Sequence, residues 1–122
     1  MLIDDDEINN FVNSKLISIT HPEIQVDTFQ HAKSALEKLQ SGYLPDIILL
    51  DLNMPELNGW EFINEFKKLN LKIPIYILTS SIDHFDWKKS RQYAEVIDFI
   101  DKPLSRIKIQ KIVSSSENLV RQ

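Results

Sequence analysis

The feature that most constrains this chain is Ile47-Ile48-Leu49-Leu50, an unbroken run of branched apolar residues that stops at Asp51 and is followed by Leu52-Asn53-Met54-Pro55. Such a run has no polar face, so it reads as a strand covered on both sides. Pro55 lacks the N–H that a ladder needs, and Asn58-Gly59 supplies the turn chemistry leading into a helix. Asp51 is therefore expected at the carboxyl end of an interior strand, the rim where open α/β sheets bind ligands. A carboxylate at the edge of an apolar core is costly unless a cation or hydrogen-bond donors face it. What the rest of the chain brings to Asp51 decides its chemistry.

The remaining segments alternate in type. Met1-Leu2-Ile3 reads as a short apolar strand, curtailed at its start, and Asp4-Asp5-Asp6-Glu7 follows at once. Ile8, Phe11, Val12 and Leu16 mark one face of a first helix that ends near Thr20, before Pro22. Ile24, Val26 and Thr28 alternate with polar residues as a second strand would. Ala32, Ala35, Leu36 and Leu39 make a short amphipathic helix stopped by Ser41-Gly42. Phe62, Ile63, Phe66 and Leu69 pattern a helix over roughly 58–69. Ile73 to Leu78 is a fourth strand with its proline near the start, ending in Thr79-Ser80-Ser81. A short helix over about 83–92 precedes a fifth strand, Val96 to Ile100, which runs into Asp101-Lys102-Pro103. Ile109, Ile112 and Val113 pattern a last helix, expected to fray at Ser114-Ser115-Ser116. Strands joined by helical crossovers imply a parallel sheet with helices on both faces. The expected fold is α/β, a doubly wound five-stranded parallel sheet in the flavodoxin-like order 2-1-3-4-5 with five helices. Residues 1–122 are expected to form one domain, with no output domain attached.

Composition removes several classes of function. With no cysteine there is no disulfide framework, thiol nucleophile or thiolate metal site, and only 2 glycines leave no Gly-rich phosphate loop. A formal net charge of −4, with Lys67-Lys68 and Lys88-Lys89 as solvated basic pairs, gives no footprint for nucleic acid or anionic membrane. No apolar run approaches the ~18 residues of a membrane span. The acidic start does not resemble a signal peptide, and a cytoplasmic location is expected. His21, His31 and His84 are scattered and none pairs with an obvious Ser or Cys for triad catalysis.

In the 2-1-3-4-5 order, strands one and three are neighbours, so Asp4 and Asp5 lie beside Asp51. Two carboxylates about 4 Å apart repel by ~4 kcal/mol at an effective dielectric near 20. A divalent cation relieves this, and with oxygen ligands alone hard Mg²⁺ is the natural candidate. Asp4 to Asp6 could instead only cap the first helix, and Asp6 is expected to do so in either case. Thr79 ends the fourth strand, where its hydroxyl can donate to an anionic oxygen near Asp51 or cap the next helix. Lys102 ends the fifth strand, and the Lys102-Pro103 bond can be cis, holding a tight turn that aims the lysine inward. Carboxylates, a hydroxyl and an ammonium at successive strand ends suit phosphoryl transfer. Asp51 would be the nucleophile, with Mg²⁺, Thr79 and Lys102 neutralising charge on the transferring oxygens.

These residues resemble those of the receiver domain of two-component response regulators, the family of the single-domain chemotaxis regulator. The resemblance rests on Asp4-Asp5, on Asp51-Leu52-Asn53-Met54-Pro55 with Gly59, on Thr79 and on Lys102-Pro103, in the family's order and approximate spacing. It implies that Asp51 accepts a phosphoryl group from a phosphohistidine on a histidine kinase or histidine phosphotransfer protein. It implies that Asp5 and Asp51 bind Mg²⁺ by carboxylates, Asn53 by its backbone carbonyl and Asp4 through water. Thr79 and Lys102 would bind phosphoryl oxygens, while Asn53 and Ser81 would tune hydrolysis of the acyl phosphate. Phe99 falls at the family's aromatic switch position, without the hydroxyl of a tyrosine. The protein would then be a switch that catalyses only its own phosphorylation and dephosphorylation. It would signal to a downstream protein, with Trp87, Tyr93 and the last helix on the family's output side. Two other functions share part of this residue set. An Mg²⁺-dependent hydrolase of the haloacid dehalogenase-like type would need an acid two residues after the nucleophile, where Asn53 stands. A receiver-like module that is never phosphorylated would not need the complete set.

Overall fold

In the computed structural model the backbone is described for residues 1–52, 54, 57–80 and 84–121, and the side chains of these except 84, 85 and 116–121. The elements run β1 Leu2–Ile3, α1 Glu7–Thr20, β2 Thr28–Phe29, α2 Ala32–Gln40, β3 Ile48–Asp51, α3 Gly59–Lys67, β4 Ile75–Thr79, α4 His84–Ser90, β5 Val96–Asp101 and α5 Arg106–Arg121. All strand pairings are parallel and the sheet order is β2-β1-β3-β4-β5, as the alternation of segments predicts.

The apolar run of β3 is buried along its whole length, and pleating sends its side chains alternately to the two faces. Ile48 and Leu50 join Ile3, Ile75, Ile77 and Phe99 in a core capped by α2 and α3. Leu49 joins Leu2, Tyr76, Leu78 and Ile100 in a second core under α1 and α5. Phe62, Ile63 and Phe66 of α3 are fully enclosed in the first core, and the Phe62 and Phe66 rings stack at 6.2 Å. The two clusters, one on each side, explain why β3 and β4 carry no polar face.

Three sequence expectations are corrected. The first helix does not bury the face marked by Ile8, Phe11 and Val12, which are 72%, 62% and 54% exposed; it buries Asn10 and Ile17. The apolar stripe was misleading because the helix is rotated to bring Asn10 to the ends of two strands, where its amide is bonded. The second strand is only Thr28–Phe29, since β1 offers Leu2 and Ile3 as its partners and no more. The fourth strand begins at Ile75, not Ile73, because the residue before Ile75 is Pro74, which has no N–H to donate. The last helix runs through the three serines to Arg121.

Candidate functional site

The carboxyl ends of β1, β3, β4 and β5 converge at one rim. Asp51 closes β3, 5% exposed, paired in register with Leu78 of β4. Asp4 follows β1 directly and is 4% exposed, while Asp5 beside it faces solvent. Carboxylate oxygens of Asp4, Asp5 and Asp51 all lie within 4.8 Å of one another. Helix α1 starts at once because Asp6 caps it, accepting from the backbone N–H groups of Ile8 at 2.9 Å and Asn9 at 3.4 Å. Asp6 thus serves the helix, leaving Asp4 and Asp5 for the rim.

Lys102 answers the two buried acids. The Lys102-Pro103 bond is cis, and the Lys102 N–H donates to the Thr79 carbonyl at 2.8 Å. Its Nζ lies 3.1 Å from Asp4 Oδ2 and 3.7 Å from Asp51 Oδ1. Asp4 Oδ1 accepts from the Asp6 N–H at 2.9 Å. Each carboxylate that has left water is therefore held by a cation or a donor, as burial of charge requires. One ammonium paired with two of the three carboxylates leaves a net negative, oxygen-lined cradle, a donor set that fits a small hard divalent cation.

Thr79 ends β4, buried at 3% exposure, and is in register with Asp101, the residue before Lys102. Phe99 is buried in the α2/α3 core and pairs with Ile77. Helix α3 is pressed against the strand end that carries Asp51. A Cβ on Gly59 would lie 2.8 Å from Leu52 Cα and 3.0 Å from the Asp51 carbonyl oxygen, so the close approach requires glycine. The Gly59 N–H donates to the Leu52 carbonyl at 3.0 Å, and Asn58 caps the helix through the Glu61 N–H.

The structure thus brings together Asp4, Asp5, Asp51, Thr79 and Lys102, with Phe99 one strand away. Asn53 and Ser81 lie outside the described residues. On the side expected for output, Trp87 is 41% exposed with the Arg91 guanidinium 4.7 Å from its ring centroid. Tyr93 is half-buried, stacked on Trp60 at 5.5 Å, with the Lys67 and Lys89 ammonium groups over the Tyr93 and Trp60 rings; Lys67 and Lys88 are solvent-exposed. Trp60 Nε1 donates to Asp86 at 3.2 Å, tying α3 to α4. His21 contacts Glu23 at the surface and His31 precedes α2; neither reaches the rim. One residue of the site's surroundings escaped the sequence pattern. Asn10 donates to the carbonyls of Asp4 and Phe29, and an isolated Asn on a helix gives no signal until the helix's rotation is known.

A five-stranded doubly wound sheet with an acidic triplet, a threonine and a lysine at the strand ends defines a receiver-type signalling fold. The family model for the response regulator receiver domain matches residues 1–114, and the chain belongs to that family. Among curated proteins it is similar to a protein-glutamate methylesterase/protein-glutamine glutaminase of Treponema denticola, 40% identical over 84% of this chain and 28% of that protein. It is also similar to the response regulator ArlR of Staphylococcus aureus, 30% identical over 100% of this chain and 52% of that one. The chain therefore spans about half or less of these relatives' length. Among solved structures, a two-component response regulator from Cytophaga hutchinsonii superposes with a TM-score of 0.86 at 34% identity, covering 96% of this chain and 94% of that one. The chemotaxis protein CheY4 of Vibrio cholerae shares the fold at 22% identity, with a TM-score of 0.80 over 94% of each chain. Among the described residues no helix is long and apolar enough to cross a membrane.

Proposed function

We propose that the protein is a phosphoacceptor switch in which Asp51 takes a phosphoryl group from a phosphohistidine. The observation that carries the reading is the gathering of Asp4, Asp5 and Asp51 around one point, with the Lys102 ammonium reaching two of them. An oxygen of Asp51 attacks phosphorus. The P–N bond to the donor imidazole breaks, its electron pair returns to nitrogen, and a mixed anhydride remains on Asp51. Lys102, already at the rim, shifts from carboxylate to phosphoryl oxygen, and the Thr79 hydroxyl at the neighbouring strand end donates to a second. Asp5, Asp51 and the Asn53 carbonyl would hold Mg²⁺, with Asp4 acting through water, and the bound ion would supply positive charge to offset the incoming anion. Pulling Thr79 and Lys102 toward the phosphoryl group shifts β4 against β5, and with it the packing of Phe99, so the modification biases two arrangements of this edge of the sheet.

The donor is a protein. Ile8, Phe11, Val12 and Ile19 expose a contiguous apolar stripe on α1, with Lys15 over the Phe11 ring. Ile8 is three residues past Asp5, so the stripe begins at the lip of the acidic cradle. A partner that brings its histidine to Asp51 covers this stripe, which accounts for large apolar side chains left in water. The test is incubation with a small acyl-phosphate donor with and without Mg²⁺, followed by mass spectrometry. Mg²⁺-dependent gain of one phosphoryl group, abolished by Asp51→Asn, is expected. Undiminished incorporation in that variant refutes the assignment.

A further inference from the structure

We infer that Asn10 is a positioning residue for the acidic cradle, holding the turn that carries Asp4 and Asp5 by clasping the ends of β1 and β2. The inference rests on the reading of Asp4, Asp5 and Asp51 as a cation site.

Helix α1 makes an unusual choice. It leaves Phe11 in water and buries a carboxamide, Asn10, which is 4% exposed. Burying an amide is favourable only where its hydrogens find acceptors. Here both do. The Nδ2 group donates to the Asp4 carbonyl at 2.9 Å and to the Phe29 carbonyl at 3.3 Å. Asp4 directly follows β1, and Phe29 is the last residue of β2. The Asp4 carbonyl has left the ladder because the chain turns into α1, so without Asn10 it would be a buried acceptor lacking this donor. The Phe29 carbonyl also accepts from the Asp4 N–H at 3.0 Å, so the amide reinforces the last rung between the two strands.

The consequence is that Asp4 is held at every polar atom. Its N–H is on Phe29 and its carbonyl on Asn10; Oδ1 is on the Asp6 N–H and Oδ2 on Lys102. Two of these contacts aim the carboxylate, and the other two fix the backbone from which it projects. Asn10 touches neither carboxylate nor any reacting atom; it acts through the Asp4 main chain. The Asp5 carboxylate is exposed and depends on the same turn for its placement beside Asp51. Supporting groups of this kind typically change metal affinity about 10–100-fold when removed.

The experiment compares Asn10→Leu, which keeps volume and burial but has no donor, with Ile17→Ala, which weakens the same buried face of α1 without touching the turn. On the metal-free proteins, amide hydrogen exchange is read at Asp4 and Asp6. Asn10→Leu is expected to speed exchange there about tenfold relative to the rest of α1 and β3, whereas Ile17→Ala speeds α1 as a whole. Mg²⁺ affinity by calorimetry is expected to fall about tenfold in Asn10→Leu and to stay within about twofold in Ile17→Ala. Unchanged local exchange in Asn10→Leu overturns the positioning role whatever the metal does. Faster local exchange with no Mg²⁺ binding by the wild type overturns the cation reading instead. An equal affinity loss in both variants reduces Asn10 to an ordinary contributor to helix stability and overturns the proposal.

Discussion

Replacing Lys102 by Met tests whether the lysine serves as the counter-ion of the acidic cradle. The substitution keeps most of the apolar stem and removes only the charge. At an effective dielectric near ~20, a unit pair at 3.1 Å attracts by about 5 kcal/mol and one at 3.7 Å by between about 4 and 5 kcal/mol. Desolvation offsets much of this, and deleting one partner of a buried pair costs about 3–5 kcal/mol in practice. The Lys102 side chain is 22% exposed, which places the expected loss at or just below the lower end, about 2–3 kcal/mol. For a domain of this size that is a fall in Tm of roughly 10 °C. The loss should shrink in Mg²⁺, because a divalent ion at one hundred times its Kd stabilises the native state by about 2.7 kcal/mol and meets no competing ammonium in the variant. Thermal and urea denaturation of both proteins, with and without Mg²⁺, gives the four values needed. A variant as stable as the wild type without metal would refute the counter-ion role. So would a deficit that is the same in both conditions. Phosphorylation from a small acyl-phosphate donor should slow about 10²-fold at saturating Mg²⁺, the usual cost of one charge-stabilising donor.

Gly59→Ala should destabilise by about 1–3 kcal/mol, because the new Cβ meets backbone at Leu52 that cannot give way; an unchanged urea midpoint would count against the close approach. Phe11→Asp should leave labelling of Asp51 by a small donor at the wild-type rate and cut transfer from a phosphohistidine donor protein at least about tenfold, since a charge on the apolar stripe opposes docking alone. Equal losses with both donors would show that Phe11 supports the fold and not the encounter.

Much of this was legible in the residues. Ile48 to Leu50 and Ile75 to Leu78 could be read as strands buried on both faces because a side-chain period of two leaves no polar position when both faces are covered. Asp51 and Thr79 stand out because each closes such a strand, and Lys102 because it follows the fifth strand just before a proline; the parallel order then places them at one rim. Asn53 and Ser81 fall outside the described residues and stay expectations. The first helix departs from its apolar pattern for a physical reason. Ile8, Phe11 and Val12 form a regular apolar face, and periodicity identifies a face without saying whether the core or a partner covers it.

What the chain alone determined is thus its alternation of strands and helices, the burial of the central strands and the choice of acids, threonine and lysine at their ends. These follow from local pattern and from the few topologies that parallel crossovers allow. Only the tertiary structure decided the rotation of α1, the clasp of Asn10 on two strand ends and the division of Lys102 between Asp4 and Asp51. Each depends on groups from different elements meeting within hydrogen-bond or ion-pair distance, and no local propensity encodes that.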